Sequence, residues 1–245
     1  MSTAAILLLL PATENSSAAD EGDALGATAN SPGDEDIRSI PFASMFHVAA
    51  KGAISASGGW DGARRQFLAE AGVRGAVFRR VNIHAAAVRT ADGGARPMVG
   101  VIGQIIQEAR GGVSLFGLLQ YKPEGFTEPE GEVEAALAGL RHFGRTALVA
   151  SVTYGQDPEG NERDFELGLA ARVEVSERVA VGLASRGRMG HEKDSATVSD
   201  LGGGAFASFT SGQATITVTL GASAIQSAGQ THGGPWLLTE IGYSF

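Results

Sequence analysis

The sequence predicts an all-β fold: an antiparallel up-and-down transmembrane β-barrel of about twelve strands. Three observations predict it. From about Phe42 onward, segments of roughly ten residues alternate apolar with polar or small side chains. The connections between these segments are short and long in strict alternation, as expected when only one end of a barrel faces outward. Aromatic side chains gather at the two ends of the segments, where interfacial girdles lie.

Composition permits this reading and excludes others. The chain has 245 residues, 35 of them glycine and 8 proline, with 43% hydrophobic and 19% charged residues. Its mean hydropathy is +0.03, the value expected when lipid-facing and lumen-facing residues alternate and cancel. No apolar run approaches the ~18–20 residues of a spanning helix. With no cysteine, disulfide frameworks and cysteine-ligated metals are excluded. The net charge of −8 argues against nucleic acid as a partner, because phosphate neutralisation needs a basic face.

Residues 1–19 read as a possible, truncated signal peptide. Residues 4–10 form a short apolar run and Ser17-Ala18-Ala19 offers a small-residue cleavage site, but no Lys or Arg precedes Ala4. Residues 20–40 are acidic, small and aperiodic, and are expected to be disordered. The barrel is assigned to 41–245.

Within it, strands are expected to begin near residues 44, 65, 79, 97, 112, 131, 145, 164, 178, 200, 213 and 235. The clearest strand spans 165–175. Phe165, Leu167, Leu169, Ala171, Val173 and Val175 share one face, and Glu166, Gly168, Ala170, Arg172 and Glu174 the other. Val179, Val181 and Leu183 repeat the pattern, as do Ile216, Val218 and Leu220 against Thr215, Thr217 and Thr219. The fourth and fifth strands, 99–108 and 113–121, alternate poorly.

Short connections are expected at 76–78, 109–112, 142–144, 176–177 and 211–212. Long ones are expected at 57–64, 91–96, 122–130, 156–163, 190–199 and 226–234. Phe78, Phe143, Phe209 and Phe245 then mark the short-turn end; Trp60, Tyr121, Phe126, Tyr154, Phe165 and Trp236 mark the other.

The final strand, Ile241-Gly242-Tyr243-Ser244-Phe245, alternates and finishes on an aromatic. It resembles the recognition signal of outer-membrane β-barrels, with Ile241, Tyr243 and Phe245 as the assembly-signal residues, although Glu240 stands where that pattern often has glycine. The triplet Pro-Glu-Gly occurs at 123–125, 129–131 and 158–160, in two long connections that each follow a tyrosine. These loops resemble those of an uncharacterised bacterial outer-membrane β-barrel protein family. The resemblance covers about Phe42 to the end. It implies a Gram-negative outer membrane, lipid and lipopolysaccharide as surroundings, and the barrel assembly machinery as a partner; it implies no activity.

Candidate site residues follow from the alternation. Glu132, Glu134, Glu166, Arg172, Glu174, Arg186 and Arg188 fall on the inward face and would line a polar lumen. Glu124, Glu128, Glu130, Asp157, Glu159 and Asp164 are placed in external loops. Such carboxylates could meet Ca²⁺ or Mg²⁺. Asp157, Glu159 and Asn161 are spaced by two, but the remaining ligands of a calcium loop are missing, so no metal is assigned. No cofactor is implied either: Gly202-Gly203-Gly204 lacks the Lys-Ser/Thr of a phosphate loop.

Catalytic signals are sparse. His47, His84, His142, His191 and His232 are scattered, and Ser151, nine residues after His142, has no nucleophile signature around it. The sequence therefore favours a passive, porin-like channel for small polar solutes. The alternative is a non-conducting structural or interaction barrel that uses its external loops; an outer-membrane lipid hydrolase ranks third.

Overall fold

The computed structural model describes residues 37–89, 93–107, 112–123, 131–158, 160, 162–192 and 197–245. Twelve strands form one closed antiparallel barrel in which each strand pairs with its sequence neighbours. They are β1 Gly52–Asp61, β2 Gln66–Phe78, β3 Val81–Arg89, β4 Ala95–Ile106, β5 Ser114–Pro123 and β6 Gly131–Phe143, followed by β7 Thr146–Gln156, β8 Glu162–Glu174, β9 Val179–Glu192, β10 Val198–Ser211, β11 Ala214–Ser227 and β12 Gln230–Ser244. The seam joins β1 to β12, from Ala53 opposite Ser244 to Asp61 opposite Trp236. Phe245 N–H donates to Gly52 O at 2.9 Å and Gly52 N–H to Phe245 O at 3.1 Å. Closure leaves no unpaired edge, which a hydrocarbon environment requires.

A period of two separates the faces. Leu167, Leu169, Val173, Leu183, Leu201, Val218 and Leu220 point outward and are exposed, with Phe78, Phe143, Phe209 and Phe245 at the short-turn end and Trp60, Phe67 and Tyr154 at the other. An apolar band flanked by aromatics is the surface a lipid-spanning barrel presents.

Ten of the twelve strands begin within two residues of the expected positions; β1 and β12 do not. The region around residue 44 is not a strand: Ser44–Phe46 is a 3₁₀ turn, and pairing starts only at Gly52. β12 starts at Gln230, because Ser227 pairs with Gln230 and the ladder runs unbroken down to Ala214 opposite Tyr243. The expected long connection at 226–234 is instead a two-residue hairpin. Ala228 (φ 48°) and Gly229 (φ 78°) both adopt the left-handed conformation that such a turn demands. The connection between β4 and β5 spans 107–113 and is longer than expected, so strict alternation fails at those two places.

The main surprise lies inside. Residues 37–51 precede β1 and occupy the lumen. Ile37, Ile40 and Phe46 are completely buried, packed with Ala43 and Val48 against Ile102, Phe116, Leu118, Ala136, Ala138, Leu140, Ala147 and Val149 of β4–β7. Each such large side chain removed from water contributes about 1.5–3 kcal/mol. Residues 37–40 fall in the stretch expected to be disordered, yet Ile37 and Ile40 belong to this core. The wall they cover explains the poor alternation of β4 and β5: at Ile102, Phe116 and Leu118 their inner face is apolar because it faces protein, while their outer face is apolar because it faces outward.

Polar contacts fix the opposite side of the segment. Asn82 of β3 donates to Ala49 O at 3.0 Å and accepts from Ala49 N–H at 2.6 Å. Arg74 of β2 donates to Ser44 O at 3.1 Å and His47 O at 2.8 Å. Arg38 donates to Ser244 Oγ at 3.1 Å, and His47 Nε2 meets the same oxygen at 3.1 Å. Ser44 Oγ donates to Glu240 at 2.8 Å.

Candidate functional site: the charged lumen

The inner face above the filled portion carries alternating acid and base. Register sets the neighbours. Lys122 of β5 stands opposite Glu132, and Gln120 opposite Glu134, on β6. Glu166 of β8 stands opposite Arg188, and Gly168 opposite Arg186, on β9. Arg188 then faces Asp200, and Arg186 faces Gly202, on β10. Side chains of opposite sign are therefore built into adjacent strands at one level.

Several of them pair. Lys122 and Gln120 both donate to Glu134, and Arg188 pairs with Asp164. Arg64, in the turn between β1 and β2, reaches over β12 and β11 to pair with Asp200 of β10. It also approaches Asp61 at 3.8 Å, which accepts from Ser223 Oγ at 2.6 Å. Nearer the short-turn end, Arg172 meets Glu174 at 3.2 Å.

Glu132, Glu134 and Asp164 bring one carboxylate oxygen each within 4.8 Å of the others. Gly155 makes this possible. It sits on β7 between Glu134 and Asp164 in register, and a Cβ at this position would run into the carboxylates of Glu132 and Asp164. Lys122 and Arg188 supply cationic partners to Glu134 and Asp164, so two of the three carboxylates are already paired within the wall.

A cavity of about 560 Å³ runs beside the inner segment. Its lining includes Arg38, Thr215 and Ser244 near the short-turn end and Arg64, Arg89 and Asp200 near the other, so it extends along the barrel. Between them the inner segment contributes Phe42, whose ring stacks on Trp236 at 5.1 Å and 11°. The Arg186 guanidinium lies 5.2 Å from the Phe42 ring centre and 6.0 Å from that of Trp236. Phe42 has φ 63°, an uncommon backbone conformation for a bulky side chain.

By register Glu132, Glu134, Glu166, Arg172, Glu174, Arg186 and Arg188 share the inward parity of their strands, with Glu134 and Arg172 buried and Glu174 and Arg188 more open. Glu134, Glu166, Arg186 and Arg188 border the cavity, whereas Arg172 is buried towards the short-turn end. The external-loop set divides. Glu124, Glu128, Glu130 and Glu159 lie outside the described residues. Asp157 holds its own turn by accepting from Glu162 N–H at 3.0 Å. Asp164 is a correction: it is an inward-facing residue of β8, buried against Arg188, because β8 begins at Glu162. Trp236 is another: it was expected in the outer girdle but is buried in the lumen. Ile241, Tyr243 and Phe245 point outward beside the seam.

Sequence reasoning missed Asp61, Arg64, Glu70, Arg74, Asp200 and Glu240, all bordering the cavity. For Glu70 and Arg74 the signal was present, since they share the inward parity of Gly72 on β2. The His142–Ser151 pairing finds no support in the register. Ser151 lies opposite Ala138 and His142 opposite Ala147, a separation of roughly 13 Å along the strand.

No protein-family model and no curated protein matches the chain. Solved structures do. An outer-membrane channel from Pseudomonas putida F1 aligns with TM-score 0.59 at 10% identity, over 81% of this chain and 97% of that one. The KdgM porin in complex with disordered oligogalacturonate aligns with TM-score 0.52 at 8% identity, over 79% and 99%. The NanC porin aligns with TM-score 0.52 at 9% identity, over 78% and 98%. At these identities the likeness establishes the fold.

Proposed function

We propose that the protein is a passive channel of the bacterial outer membrane for small polar solutes. One observation carries this reading: a cavity lined by charged side chains from both ends of a closed barrel whose outer surface is apolar. The fold it shares with two porins and an outer-membrane channel supports it. Fixed charges of both signs would give a weak preference among ions rather than strict selection. Ile241, Tyr243 and Phe245, outward and next to the seam, suit recognition by the barrel assembly machinery, and the external loops suit contact with lipopolysaccharide.

The ion pairs that occupy this end of the lumen, Arg64–Asp200 reaching from the β1–β2 turn to β10 and Arg188–Asp164 and Lys122–Glu134 between neighbouring strands, favour a second reading, a sealed barrel acting through its loops. Single-channel recording in a planar bilayer separates the two, with heat-modifiable migration confirming the folded state. Discrete current steps are expected, and Arg186→Glu is expected to shift the reversal potential towards cation preference. A folded protein that passes no current would leave the sealed barrel as the better account.

A further inference from the structure

The inner segment 37–51 meets the wall through two unlike faces. One is apolar and completely buried: Ile37, Ile40 and Phe46 against Ile102, Phe116 and Leu140. The other is hydrogen-bonded to side chains of β2, β3 and β12, namely Arg74, Asn82, Ser244 and Glu240. We propose that this segment is a fixed inner wall of the pore and not a displaceable gate. Solute then passes only along the remaining half-lumen, beside β1–β3 and β12, past the stack of Phe42, Trp236 and Arg186. The inference rests on the channel reading and names the path within it.

Three observations support a fixed wall. A gate that withdraws must leave both of its surfaces tolerable in water, but withdrawal here would wet an apolar strip on the segment and its apolar counterpart on β4–β7. That counterpart is encoded in the barrel itself, since Ile102, Phe116 and Leu140 occupy inward positions buried against the segment and away from the cavity. The polar anchors are spread from Arg38 to Ala49, so both ends of the segment are tied and no single hinge releases it. Phe42 also holds a left-handed backbone, a conformation that persists where the surroundings over-determine it. Its stack with Trp236, capped by Arg186, supplies that restraint and places three large side chains on the border of the cavity.

The chain contains no cysteine, so single thiols report cleanly. Ala43→Cys places a thiol in the buried face of the segment, and Ser57→Cys places one on the cavity wall. With the folded protein in lipid under applied voltage, a water-soluble methanethiosulfonate is expected to label Ser57→Cys and to leave Ala43→Cys unmodified until denaturant is added. In parallel, Trp236→Ala is expected to raise unitary conductance while heat-modifiable migration is retained. Labelling of Ala43→Cys at the rate of Ser57→Cys would overturn the fixed wall, whatever the current does. Unchanged conductance in Trp236→Ala would overturn the assigned path. If the wild type passes no current while Ala43→Cys stays protected, the channel reading and the path fall together and the segment stands as a fixed part of the barrel.

Discussion

Asn82 is completely buried in β3, and its amide answers both backbone groups of Ala49. A buried donor or acceptor left without a partner costs about 1–3 kcal/mol. Asn82→Leu strands one of each, and is expected to destabilise the barrel by roughly 2–6 kcal/mol. The urea midpoint for refolding in detergent would fall accordingly; an unchanged midpoint would show that water replaces the side chain without penalty. Trp236 sets residue type against strand parity. Ile241, Tyr243 and Phe245 face outward, so position 236 has the inward parity of Leu238 and Glu240. The residue type suggested a girdle, but parity along a strand is the stronger constraint, because a side chain cannot change face without a bulge.

Within a strand, one missing side chain can organise its neighbours, as Gly155 of β7 does for Glu132, Glu134 and Asp164. Gly155→Val is expected to push these carboxylates apart and disturb the pairs with Lys122 and Arg188, shifting ion selectivity and lowering thermal stability. Ala150→Val, on the outward face of the same strand, is the control expected to leave both unchanged. Equal behaviour of the two variants would deny Gly155 this role. Strands were legible wherever each face has a single environment, as in β8, where Leu167 and Leu169 alternate with Glu166 and Gly168. They are obscure where part of the inside is itself apolar, as at Ile102 of β4 and Phe116 and Leu118 of β5, which face the inner segment. The start of β12 is not legible in composition, because Gly233-Gly234-Pro235 reads as loop, whereas pairing with 222–224 of β11 across the tight hairpin holds it in the ladder. No local pattern announces the fate of residues 37–51. Ile37, Ile40 and Phe46 are too few and too unevenly spaced to signal a core until the wall that receives them is in place.

For the whole barrel, the two faces of one strand should respond oppositely to charge. Leu169 points outward at mid-strand on β8, so Leu169→Arg is expected to lower the folding free energy in lipid vesicles by about 2–4 kcal/mol. The nearby Glu166→Gln, inside the lumen, is expected to change selectivity with little effect on folding. Comparable folding penalties for the two would contradict the assignment of faces. The inner segment also bears on how the ends of the sheet find each other. Arg38 and His47 both converge on Ser244, within the stretch of β12 that pairs with the start of β1. Were that pairing to slip by one residue, Ser244 would turn out of the lumen and both contacts would vanish. The filling thus proofreads the closure: a misaligned seam forfeits its interior anchors, and only the correct alignment is locked from within.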